Sequence, residues 1–133
     1  MPGNIPAEGE NLIANLVYKN ADANRGSSLQ LGLFTNASVS NSTGLAAITE
    51  PTGGGYARKT LTDANWTILA NVAAYALQTF TATGTAMTGS IYGYFIATTG
   101  TVPKLLAYEV DASGPYTLAM GDSYDVTPSL SNS

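Results

Sequence analysis

A chain of 133 residues suffices for one domain with a single apolar core and is short for two. Apolar residues make up 44% of it, which argues against wholesale disorder, whereas charged residues make up only 11%, far below the usual quarter. The net charge of −4, with five scattered cations, argues against direct nucleic-acid binding, and the absence of Cys and His removes disulfides, thiolate metal sites and the commonest general base.

Residues 1–7 contain Pro2, Gly3 and Pro6 and are expected to form an extended arm, because proline fixes φ and lacks a donor. Glu8 to Tyr18 is the one convincing helix. Leu12, Ile13, Leu16 and Val17 form one stripe of a 3.6-residue period. Glu8 and Glu10 near its start and Lys19 at its end suit the helix dipole. At about three turns it is marginal alone and must pack on something. No basic segment followed by a long apolar run marks a signal peptide, and no segment approaches the ~18 apolar residues of a membrane-spanning helix. No membrane partner is expected, and the chain reads as a cytoplasmic product.

From Asn20 onward the pattern is that of strands. In "SLQLGLFT", Leu29, Leu31 and Leu33 alternate with Gln30, Gly32 and Phe34. "NASVSNSTG", residues 36–44, is a polar loop without a period. "YALQTFTATG" is rich in Thr and aromatics that fit a pleated surface. "TGSIYGYFIATTG" places Ile91, Gly93, Phe95 and Ala97 on one face and Tyr92, Tyr94 and Ile96 on the other. Both faces are largely apolar, which predicts a central strand or one facing a subunit partner. "PKLLAYEVD" sets Leu106, Tyr108 and Val110 against Leu105, Ala107 and Glu109. "SGPY" and "MGDS" are turn signals, the second predicting a hairpin between Tyr116–Met120 and Ser123–Thr127. The whole predicts an all-β, jelly-roll-like β-sandwich of seven or eight antiparallel strands over 21–133, preceded by an arm and short helix over 1–20.

The run "PTGGGYARKTL", Pro51 to Leu61, is where a phosphate loop would be sought. The Lys59–Thr60 pair stands at the wrong spacing from Gly55, and "LTDANWTI" does not read as a helix, so a turn with glycines at positive φ feeding a strand from Tyr56 to Leu61 is expected. Glu109, Asp111, Asp122 and Asp125 are candidate Ca²⁺ oxygens, but EF-hand spacing is absent and turn or strand-end roles are expected. Asn36, Asn41 and Asn65 match the glycosylation pattern by chance composition. Trp66, Tyr92 and Tyr94 are candidates for sugar stacking, with core or interface roles preferred. No nucleophile has an activating base in this sequence, so no catalytic residue, metal or cofactor is expected.

"LQLGLFTN" followed by "PTGGGYARKTL", after the helix "EGENLIANLVYKN" and before "PKLLAYEVDASGPYTLAMGDSYDV", resembles a group of small tailed-phage virion proteins. Several of these look like the jelly-roll cement proteins that decorate icosahedral capsids as trimers. The resemblance implies a non-enzymatic capsid cement or decoration protein, made in the host cytoplasm and placed on the outer surface of the capsid. Its partners would be the major capsid protein and itself, as a homotrimer. On that reading Ile5, Leu12, Ile13, Leu16, Tyr92 and Tyr94 form the capsid or subunit interface. The alternatives are a tail-fibre, baseplate or receptor-binding component, some with a glycan site, and a small glycan hydrolase built on Glu109 with Asp122 or Asp125. A surface of short neutral polar side chains suits repeated protein contacts, since little entropy is lost when they are immobilised.

Overall fold

The expected alternation of Leu29, Leu31 and Leu33 is realised in strand β1, Leu29–Phe34, whose leucines enter the main core while Phe34 enters a second cluster behind it. The structure is a computed structural model and describes residues 3–19 and 23–131. Helix α1 (Ala7–Lys19) precedes β1. After β1 come β2 (Lys59–Leu61), β3 (Thr67–Leu69), β4 (Val72–Ala74) and β5 (Gln78–Thr81). Then follow β6 (Gly93–Ala97), β7 (Leu105–Val110), β8 (Ser123–Val126) and β9 (Ser129–Ser131). Among the described residues the fold is all-β apart from that one α-helix and two single-turn 3-10 helices, Leu45–Ala47 and Asp63–Asn65. The strands form three antiparallel sheets in the orders β2-β1-β6-β7, β3-β4-β9 and β5-β8. The described residues thus hold nine strands where seven or eight were expected; β3, β4 and β9 are too short to stand out as a periodic pattern.

The four-stranded sheet is apolar on both faces. One face carries Leu29, Leu31, Leu33, Leu61, Tyr94, Ile96 and Ala107, which meet Phe80 of β5 and Tyr124 and Val126 of β8. The other carries Phe34, Phe95, Ala97, Leu105 and Tyr108, covered by Val39, Leu45 and Ile48 of the polar 36–49 loop. β6 lies between β1 and β7, so of the two positions expected for it the central one is realised. No helix among the described residues is long and apolar enough to cross a membrane.

Several expected details are corrected. Ile91 joins Tyr94 and Ile96 in the main core rather than Phe95. It lies before the strand proper and pairs with Tyr116, so the alternation slips by one residue before Gly93. Tyr108 shares a cluster with Leu105, not with Leu106. The β6–β7 register passes from Ile96↔Ala107 to Ala97↔Leu105, and the bulge at Leu106 restarts the alternation. Strand β8 pairs with β5 rather than with Tyr116–Met120. That pairing turns Phe80, Tyr124 and Val126 inward together and leaves Thr79, Thr81, Ser123 and Asp125 outside. The turn itself is present, with Gly121 at φ 94°. The strand predicted from Tyr56 begins only at Lys59, because Tyr56 and Arg58 turn to Glu50 instead of a ladder.

Helix α1 covers the expected span, and its Leu12 is buried. The side chains of Val17 and Lys19, part of the expected stripe and dipole pairing, lie outside the described residues, as do Met1 and Pro2 of the arm. Gly3 bridges Leu130, and Asn4 exchanges two backbone bonds with Tyr108 at 2.6 and 2.9 Å, so the arm runs between β9 and β7. Gly9 faces β7 so closely that a Cβ there would overlap the Leu106 carbonyl oxygen. In an exposed helix Gly→Ala stabilises by about 1 kcal/mol. Here Gly9→Ala is expected to reverse that sign and destabilise by about 1–3 kcal/mol as the helix is pushed off the sheet, read as a lowered urea midpoint.

Candidate functional site

The apolar stripe of α1 does not close completely onto the sheets. Ile5, Leu12, Ile13 and Leu16 line one side of a groove of about 410 Å³, and Leu29, Leu106 and Leu130 line its floor. Trp66, Ile68 and Ala73 line its far side. Among the described residues the only charges lining it are Arg25 and Asp63, which neutralise each other in an ion pair of 3.0 Å. Four of the six residues expected to serve an interface are thereby brought together.

What holds the helix over this groove is a carboxylate in its first turn. Glu8 Oε2 accepts the Leu105 N–H at 2.7 Å and the Leu45 N–H at 3.0 Å, and Oε1 lies 3.7 Å from Lys104 Nζ. The Ala7 N–H donates to Asn41 O at 2.9 Å, and the Tyr108 hydroxyl donates to Asn41 Oδ1 at 2.8 Å. The 36–49 loop therefore seats the start of the helix.

The far wall is a hairpin. β3 and β4 pair through Thr67↔Ala74, Ile68↔Ala73 and Leu69↔Val72, and the turn residues Ala70 and Asn71 stand at φ 51° and 66°. Two positive φ values give the primed turn that matches strand twist. Ile68 and Leu69 are 70% and 81% exposed, the largest fractions among the exposed large hydrophobics. Trp66 stacks edge-on with Tyr75 at 5.2 Å between centroids. Its indole Nε1 is buried and meets no acceptor among the described residues. An orphaned buried donor costs about 1–3 kcal/mol, so this wall carries an unmet hydrogen-bonding demand. Sequence reasoning named Trp66 but missed Ile68, Leu69 and the hairpin. The segment "WTIL" is too short to show a period, and Ala70 gives no sign of the left-handed turn that Asn71 only half suggests.

Tyr92 and Tyr94 lie elsewhere. Tyr92 packs on the second cluster, and Tyr94 is buried in the main core with its hydroxyl on Glu109 Oε2 at 2.9 Å. Glu109, Asp111 and Asp125 share a cleft of about 330 Å³ with Tyr94 and Tyr124. Each carboxylate there takes a hydroxyl: Tyr124 donates to Asp111 at 2.7 Å and Thr79 to Asp125 at 2.6 Å. Burial, reinforced by Glu109 beside Tyr94 and Asp111 beside Tyr124, pushes both phenols well above their ordinary value. Asp122 caps its own turn, accepting the Ala119 N–H at 3.0 Å. Among the described residues no three acidic groups are arranged to hold a metal ion.

The glycine run is a turn as expected, with Gly53, Gly54 and Gly55 at φ 72°, 59° and 70°. It delivers "YAR" to Glu50. Glu50 Oε1 accepts from the Tyr56 hydroxyl at 2.7 Å and from Arg58 Nε at 3.1 Å, and Oε2 accepts from the other arm of the guanidinium at 2.9 Å. The Tyr56 oxygen also accepts the Leu33 N–H at 2.9 Å, which locks this network to β1. No protein-family model, curated protein or solved structure matches the chain.

Burial by itself raises the Glu50 pKa, but the hydrogen bonds from Arg58 and Tyr56 and the Arg58 charge outweigh it and hold the carboxyl below its ordinary 4.5. A depressed carboxylate contributes stability that is fully present above its unfolded value and is lost as pH falls through the folded one. Urea midpoints measured downward from pH 6 are expected to fall more steeply below about pH 4.5 in the wild type than in Glu50→Gln, which is less stable at neutral pH and has a flatter acid limb.

Proposed function

We propose that this protein is a non-enzymatic virion component that adheres to a protein lattice: a phage capsid cement protein. It would sit on the outer surface of the head and bridge major capsid proteins with the groove under helix α1. The observation that carries the reading is the convergence of Ile5, Leu12, Ile13 and Leu16 with Trp66 and Ile68 into one open apolar groove in which the charges of the described residues, Arg25 and Asp63, cancel. Adhesion of this kind requires buried area, main-chain hydrogen bonds and shape.

An extended capsid segment laid along the groove would cover the exposed side of Ile68 and the half-buried Ile13 and Leu16. Burial of such a segment contributes roughly 25 cal/mol per Å² of apolar surface, diminished by the cost of ordering. Copies arrayed on a lattice, as the trimer implied by the resemblance, multiply modest single contacts by avidity.

The test is co-sedimentation with shells of the phage's major capsid protein, set beside labelling of whole particles. Ile13→Asp/Leu16→Asp, at half-buried positions on the groove wall, is expected to keep the fold and cut shell binding at least tenfold. Label confined to the tail vertex, or undiminished binding by the double variant, overturns the reading. Trp66→Phe removes a buried unmet donor and is expected to leave the free protein as stable or up to about 1 kcal/mol more stable in urea.

A further inference from the structure

We propose that the outer edge of strand β3 is a self-association surface, through which two copies of this chain pair antiparallel about a twofold axis at Ile68. β3 is the end strand of the β3-β4-β9 sheet, and no strand among the described residues pairs with its outer edge. The opposite end of that sheet is capped, because Gly3 donates to Ser129 O of β9 at 2.7 Å.

The hairpin fixes which backbone groups face outward. The turn at Ala70–Asn71 makes Leu69↔Val72 the closing hydrogen-bonded pair, so Ile68↔Ala73 is the non-hydrogen-bonded pair. The Ile68 N–H and C=O therefore point away from β4, to the free edge. A second β3 laid antiparallel with Ile68 opposite Ile68 receives and returns both bonds. The same register puts Thr67 opposite Leu69 in both directions and joins the exposed apolar surface of the two hairpins. Because the twofold axis stands normal to the sheet, both grooves open on the same side.

The occupant is a second copy on grounds of charge and edge chemistry. A molecule of net charge −4 repels itself, yet residues 64–103 contain no charged side chain. The nearest charge in sequence, Asp63, is paired with Arg25. Edge strands are commonly protected by lysine, proline, a bulge or a covering segment. Thr67, Ile68 and Leu69 have none of these, and all three are exposed. Two hairpins bury well under the ~1,200 Å² of a standard stable interface. The contact is accordingly weak between free molecules and effective where neighbours are held side by side. It differs from shell docking in using the backbone edge rather than the groove, and its test contains no shell, so either proposal can fail alone.

The experiment is sedimentation equilibrium of the full chain from about 10 µM to about 1 mM, with backbone amide exchange followed at both ends of that range. A reversible doubling of mass is expected, with the Ile68 amide protected only at high concentration. Ile68→Pro removes a donor that the hairpin does not use, and is expected to abolish doubling while the chain stays folded. Should that variant fail to fold, Ile68→Lys serves in its place. Ile13→Asp/Leu16→Asp and Val102→Lys are expected to double as the wild type does. An unchanging mass up to the highest concentration overturns the proposal. So does an Ile68 amide that stays unprotected, doubling that survives at Ile68→Pro or Ile68→Lys, or doubling lost in the groove variant.

Discussion

The Glu8 carboxylate joins three parts of the chain that lie far apart in sequence. It caps two backbone N–H groups, one at the start of β7 and one in the 36–49 loop, and stands near Lys104. A helix of this length does not persist alone in water, so its position is decided by what fastens it. Glu8 fastens its first turn, Gly9 allows the close approach to Leu106, and the Asn4–Tyr108 bridge holds the chain leading in. The helix is thus pinned at its N-terminal end, and the groove is the space left farther along, where Ile13 and Leu16 stand off from the hairpin. Without that fastening the four N-terminal apolar residues would be a loose amphipathic segment rather than one wall of a shaped site.

The sheet beneath the helix can serve as an anchor because it is buried on both faces. β6 is buried along its whole length. Antiparallel sheets often leave one face to water; here the 36–49 loop supplies the second cover through Val39, Leu45 and Ile48. The loop that closes the back of the sheet is also the loop that receives Glu8 and Asn41's partners. Cover and anchor are one element, which couples the packing of Phe34 and Phe95 to the placement of the groove wall. The Leu106 bulge adds to this by turning one extra apolar residue toward the groove floor.

Much of this was legible in the sequence, and the failures have a common physical cause. The helix, the β class, the glycine turn and the two-sided burial of β6 each follow from a period or a residue type with one dominant local effect. The groove wall on α1 was legible for the same reason, since Leu12, Ile13 and Leu16 share a stripe that had to pack somewhere. What could not be read was pairing. Nothing local distinguishes β8 beside β5 from β8 beside its sequence neighbour; that choice is made by Phe80, Tyr124 and Val126 finding a common core. The slips at Ile91 and Leu106 are likewise set by cross-strand partners, and one slipped residue reverses every later assignment of faces. The β3–β4 wall was missed because its turn places alanine at a positive φ, where no propensity argument would put it.

The scarcity of charge then acquires a structural meaning. Several of the ions are spent inward: Glu50 on Arg58 and Tyr56, Glu8 on backbone donors, Asp111 and Glu109 on phenols. The hairpin and groove keep a surface that is apolar and short of net charge. Contacts made there involve little ionic desolvation and little dependence on salt, in contrast to surfaces that adhere through ion pairs. They are also individually small. A chain of this size with a shallow groove and a three-residue open edge is poorly equipped to bind one partner tightly. It is well suited to many modest contacts in a regular array, where placement by one contact raises the effective concentration for the next.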